Sequence, residues 1–66
     1  MDFILNGEAR QIAAGATLAD LVNELGYAGK RIAIERNGEI APKSQYANTP
    51  LMAGDRLEIV VAVGGG

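Results

Sequence analysis

Apolar residues in this chain follow two rhythms, and the rhythm switches several times within 66 residues. In "MDFILNGEARQIA", Met1, Phe3 and Leu5 alternate with Asp2, Ile4 and Asn6, the two-residue period of a strand with one face inward. Ile4 is the apolar member of the outward set. The Asn6-Gly7 pair then interrupts the run. Both residue types tolerate positive φ, so the stretch predicts a hairpin closed by a two-residue type I′ turn. In "GATLADLVNELGYAG" the period lengthens. Leu18, Leu21, Val22 and Leu25 recur at i, i+3, i+4 and i+7, one apolar helical stripe. Thr17 stands where an N-cap is expected, with Asp20 three residues on, as in a capping box. Gly26 falls just past the stripe, at the place of a left-handed C-cap. A helix this short is marginal alone in water, so its stripe must lie on a sheet.

The two-residue period returns in "RIAIERNGEI", which predicts a third strand with Ile32 and Ile34 on one face and a second turn at Asn37-Gly38. Pro42 ends that region. "KSQYANTPLMAGD" predicts a loop holding a short helical turn that Ser44 would cap, with Tyr46 and Leu51 plugging the core. Gly54-Asp55 turns the chain into "RLEIVVAV". There Leu57, Ile59 and Val61 form one face, and Glu58, Val60 and Ala62 the other. A strand buried on one side alternates apolar with polar throughout, and this one does so only at its start. It is therefore central in the sheet, or offers an apolar patch to a partner, or both. Hairpin, helix, strand, loop and final strand in that order predict an α+β fold, one mixed sheet around one helix.

Composition narrows what such a domain can do. The length allows a single domain that buries about 60% of its unfolded surface. The chain has no cysteine and no histidine, so neither a disulfide nor the usual Cys/His zinc site is available to brace it. The same absence removes the commonest general base and the thiol nucleophile. Ser44 has no base at a recognisable spacing, and catalysis by this chain alone is not expected. The net charge is −2, and no basic run exceeds Lys30-Arg31, which argues against nucleic acid. The longest apolar run, residues 59–63, is far too short for a membrane span, and the start lacks the basic segment of a signal peptide. A cytoplasmic protein, monomeric when free and away from membranes, is expected.

Taken together, "LNGE", "GATLADLVNELG", "NGEIAPKSQY" and the closing "AGDRLEIVVAVGGG" resemble the ThiS family of sulfur carriers, ubiquitin-like proteins of the β-grasp fold. The resemblance runs essentially the whole length. It implies a β-grasp domain over residues 1–63 and a flexible Gly-Gly-Gly tail over 64–66. It also implies that the carboxylate of Gly66 is adenylated and converted to a thiocarboxylate, which donates sulfur for the thiazole ring of thiamine. The implied partners are an ATP-dependent adenylating enzyme, a persulfide sulfur donor and a thiazole synthase. The carrier itself binds no cofactor in this reading, and ATP is used by its partner.

The tail chemistry is coherent on physical grounds. A carboxylate is a poor electrophile until adenylation supplies a leaving group. A Cβ at Gly65 or Gly66 would obstruct entry to a narrow active site, and Gly64 adds slack beyond the minimal pair. Three extended residues reach roughly 10 Å past the last strand. Terminal glycines gain nothing in folding, so they are idle or they are the working part. Ile4, Val60 and Ala62 are either a docking patch on the open sheet face or scattered surface residues. Parallel pairing of the first and last strands would bring Ile4 towards Val60. Glu35, Glu39 and Glu58 are solvated, or meet a basic rim on the activating enzyme. Two other readings stay open: a carrier for another pathway, of the molybdopterin synthase small-subunit type, and a ubiquitin-like modifier or interaction module.

Overall fold

Two Asn-Gly turns fold the chain back on itself. A computed structural model describes residues 1–62, and in it Asn6 and Gly7 take φ of 50° and 81°, Asn37 and Gly38 52° and 87°. Left-handed backbone at two successive positions is what the type I′ turn requires, and it matches the right-handed twist of the strands it joins. The first turn pairs β1 (Asp2–Leu5) with β2 (Glu8–Gln11), antiparallel, with Leu5 opposite Glu8. The second pairs β3 (Ile32–Arg36) with β4 (Glu39–Ala41), with Arg36 opposite Glu39. The sequence pattern predicts a turn after β3 but no strand beyond it. Three residues are too few to display a period, so β4 emerges only from its pairing.

The final strand, β5 (Arg56–Val61), lies between the two hairpins in the order β2-β1-β5-β3-β4. It runs parallel to β1 and antiparallel to β3. Its central place explains Leu57 and Ile59, which fill the core, but not Val60 and Ala62, which face outward and are exposed.

Helix α1 (Leu18–Glu24) covers one face of the sheet. The capping box is present in full. The Thr17 hydroxyl accepts from the N–H of Asp20 at 3.2 Å, and the Asp20 carboxylate accepts from the N–H of Thr17 at 2.9 Å. Two of the helix's orphan donors are thereby satisfied. Leu25 is the C-cap, and Gly26 follows with φ of 77°, a conformation that costs a side-chain-bearing residue energy. Leu18, Leu21 and Val22 are buried with Phe3 and Leu5 of β1, Ile34 of β3 and Leu57 and Ile59 of β5 in one cluster. Leu25 and Ile32 pack at its margin, half-buried. Fully burying one such aliphatic side chain contributes about 1.5–3 kcal/mol, so these few residues carry most of the fold's stability.

Tyr46 and Leu51 close the core as the pattern predicts. Burial pushes the Tyr46 hydroxyl up, against a smaller opposing effect of the Ile34 backbone. The segment holding Tyr46 is a 3-10 helix, Lys43–Asn48, and here the expected cap fails. Pro42 occupies the N-cap position with no side-chain hydrogen bond, and Ser44 lies inside the first turn. Proline's fixed φ, observed at −65°, starts the turn without a capping hydroxyl. No helix among the described residues is long and apolar enough to cross a membrane. The expected boundary between domain and tail, at residues 63 and 64, lies outside the described residues.

Candidate functional site

One face of the sheet packs on α1, and the other is open. Register decides which side chains appear on the open face. Val60 stands opposite Ala33, and Glu58 opposite Glu35. Glu35 in turn stands opposite Ile40. Strand alternation puts all of these on the side away from Leu57, Ile59 and Ile34. Val60 is 64% exposed and Ile40 68%, the two exposed large hydrophobic side chains on this face. Ala33 and Ala62 are exposed between and beyond them.

Of the three residues expected to form a docking patch, Val60 and Ala62 fall together at the end of β5. Ile4 shares their face but not their neighbourhood. The parallel pairing is as expected, yet its register sets Ile4 opposite Arg56 rather than near Val60. Val60 lies four residue steps, roughly 13 Å, beyond Arg56 along β5. Ile4 is half-buried beside Ala9 of β2, at the opposite side of the face. Sequence reasoning overlooked Ala33 and Ile40. Counting back from the Asn37-Gly38 turn would have paired Ile40 with Glu35, but only once β4 was recognised as a strand.

Glu35 and Glu58 are two carboxylates directly opposite each other on neighbouring strands, an arrangement that costs stability. Glu58 is exposed and Glu35 half-buried, while Glu39 is exposed on the edge strand. Glu35 and Glu58 give the open face an acidic centre beside its apolar end, while Glu39, opposite Arg36, lies on the other face. Among the described residues no group of three or more acidic side chains is placed to hold a metal ion.

The strand that ends in Val60 and Val61 is held from both sides by the turn asparagines. Asn37 donates its backbone N–H to the Arg56 carbonyl at 2.8 Å and accepts the Arg56 N–H on its side-chain oxygen at 2.9 Å. Asn6 does the corresponding work from the other hairpin. Its side-chain oxygen accepts from the Ile59 N–H at 2.9 Å, and its amide nitrogen donates to the Ile59 carbonyl at 3.3 Å. An asparagine amide can donate and accept as a peptide unit does, so the Asn6 side chain stands in for backbone that β1 no longer supplies, while Asn37 supplies the acceptor alone. Beneath them Asp55, 6% exposed, gathers Arg36, Asn37 and the Met52 N–H. Gly64, Gly65 and Gly66, the expected working residues, lie outside the described residues. What the described structure supplies is a rigid central strand leading to them.

A single helix held by a five-stranded mixed sheet, with two hairpins flanking a central last strand, defines a ubiquitin-like β-grasp protein. The model of the ThiS family matches residues 3–66, and the chain belongs to that family. It is 30% identical over 66 residues to the sulfur carrier protein ThiS of Escherichia coli, covering all of both chains. The crystal structure of a thiamine biosynthesis protein (ThiS) from Geobacter metallireducens superposes with a TM-score of 0.84 at 26% identity, also over the full length of both. The whole chain is likewise 47% identical to part of a thiazole synthase of Paramagnetospirillum magneticum, of which it spans 20% of the length.

Proposed function

We propose that this chain carries sulfur as a thiocarboxylate on Gly66 and delivers it for synthesis of the thiamine thiazole. The observation that carries the reading is the end-to-end match to a sulfur carrier, which runs through the positions of the terminal glycines. In the proposed cycle an adenylating enzyme joins the Gly66 carboxylate to the AMP portion of ATP, releasing pyrophosphate. A persulfide sulfur attacks the acyl carbon, and AMP leaves. A second thiol then reduces the resulting acyl disulfide, leaving –COS⁻ on Gly66 and a disulfide on the donor. The carrier is a co-substrate throughout and contributes no catalytic group. A thiazole synthase that contains a region similar to this entire chain supports that enzyme as the acceptor.

Val60 and Ala62, with Ala33 and Ile40, form the surface by which the adenylating enzyme holds the body while the tail enters its active site. Isotope exchange between pyrophosphate and ATP, dependent on the carrier, tests both parts. The intact chain supports exchange. A chain lacking Gly65 and Gly66 keeps its melting temperature and supports none. Val60→Asp, at an exposed site, also keeps its melting temperature but needs a higher carrier concentration for half-maximal exchange. A truncated chain that still supports exchange would overturn the role of Gly66.

A further inference from the structure

Strand β5 is longer than the lane beside it. Its hydrogen-bonding directions alternate, and the observed bonds fix which residue points where. The Ala62 N–H donates to the Arg31 carbonyl at 2.8 Å and the Asn37 N–H to the Arg56 carbonyl, so even-numbered residues of β5 bond towards β3. The Ile4 N–H donates to the Asp55 carbonyl and the Asn6 N–H to the Leu57 carbonyl, both at 2.9 Å, so odd-numbered residues bond towards β1. β1 pairs only with Arg56 and Leu57 before its chain turns away at Asn6-Gly7. The Asn6 side chain extends the pairing by one step, to both backbone groups of Ile59. The next odd residue is Val61. Its N–H and C=O point into the same lane, and no described strand lies beside them.

An interior strand that loses its neighbour partway along presents a short open edge, a template for another extended backbone. A groove lined by Ile4, Gly7, Arg56, Leu57 and Glu58 lies beside the hairpin turn, along the paired part of the lane before it opens at Val61. Gly66 is five residue steps beyond Val61, a reach of at most roughly 18 Å. A partner that holds the Gly66 carboxylate therefore works within that distance of Val61.

We infer that the adenylating partner adds an extended segment alongside Val61, in the lane that β1 vacates, pairing with its N–H and C=O and setting an apolar side chain against Val60. The inference rests on the carrier reading given above. Pairing there orients the start of the tail as a continuation of a rigid strand, so less freedom is lost when Gly66 enters the active site. The exposed apolar end of β5 and its open edge are two sides of one contact.

Val61→Pro is the direct test, because proline removes a donor that the sheet itself does not use and is tolerated where an N–H faces outward. With Val61→Ala as the side-chain control, the proline variant raises the carrier concentration for half-maximal pyrophosphate exchange by about tenfold while the alanine variant stays near wild type. Amide hydrogen exchange on the unmodified chain supplies the second readout, independent of whether the proline variant folds. Val61 exchanges fast in the free protein, between slow Val60 and Ala62, and becomes slow in the complex. Equal exchange activity for a folded Val61→Pro, or a Val61 amide still fast in the complex, would overturn the inference. Protection of Val61 that grows with concentration in the free chain would also overturn it, by assigning the lane to a second copy. If the unmodified chain supports no exchange at all, the carrier reading fails first and takes this inference with it.

Discussion

At the scale of single residues, Asp55 shows how much one side chain can organise. Its carboxylate accepts from Arg36 Nε at 2.9 Å, from Asn37 Nδ2 at 3.0 Å and from the Met52 N–H at 2.8 Å, tying the β3–β4 turn to the start of β5. Burial pushes its pKa up, but the Met52 N–H, Arg36 and Asn37 together outweigh that and hold it below the usual carboxylate range. The sign of the consequence follows. A carboxyl that is more acidic folded than unfolded stabilises the fold fully above its unfolded value, near pH 4, and loses that contribution as pH falls through the folded value. Urea unfolding should therefore show a midpoint that drops below about pH 4, with Asp55→Asn giving a shallower drop. At neutral pH the same substitution costs about 1–3 kcal/mol, since Arg36 and the Met52 N–H lose a charged acceptor. An acid profile identical to wild type would remove Asp55 from this role. The sequence offers "GD" as a turn, which it is, but nothing local marks the aspartate as buried. Its partners Arg36 and Asn37 lie 19 and 18 residues away.

At the scale of elements, what could be read in advance depended on length and period. α1 was legible because seven residues carry a 3.6-residue stripe, a capping box and a C-terminal glycine that all agree. Both hairpin turns were legible from their Asn-Gly pairs. β4 was not, with three residues and one half-buried side chain. The second task of the turn asparagines was also hidden, since Asn6 meets Ile59 across 53 residues of sequence. The candidate patch was half legible for the same reason: Val60 and Ala62 follow from alternation along one strand, while Ala33 and Ile40 join them only through cross-strand register. Ile4 was drawn in by the correct pairing and removed by its register. The helix itself gives a quantitative check. Thr17→Ala should lower stability by about 1 kcal/mol, and adding Asp20→Ala should cost less than the sum of the two alone, because the box is reciprocal. Strict additivity in a double-mutant cycle would mean the two bonds act independently.

At the scale of the whole molecule, the parts divide the labour between holding and reaching. The core, the two hairpins and the asparagine clamps fix β5, and β5 leads towards the glycines. The open face beside its end is apolar where Val60, Ala33 and Ile40 gather, and acidic where Glu35 meets Glu58. A sheet surface with that distribution suits a partner that sets an apolar patch against Val60 and a basic group between the two glutamates. The central claim concerns the end of the chain rather than its body, and one measurement addresses it directly. The protein is incubated with an adenylating partner, ATP and a persulfide donor, then weighed intact by mass spectrometry and fragmented. The account predicts a mass gain equal to replacing one oxygen by one sulfur, localised to Gly66. An unchanged mass, with a partner that demonstrably loads its own carrier, would contradict it.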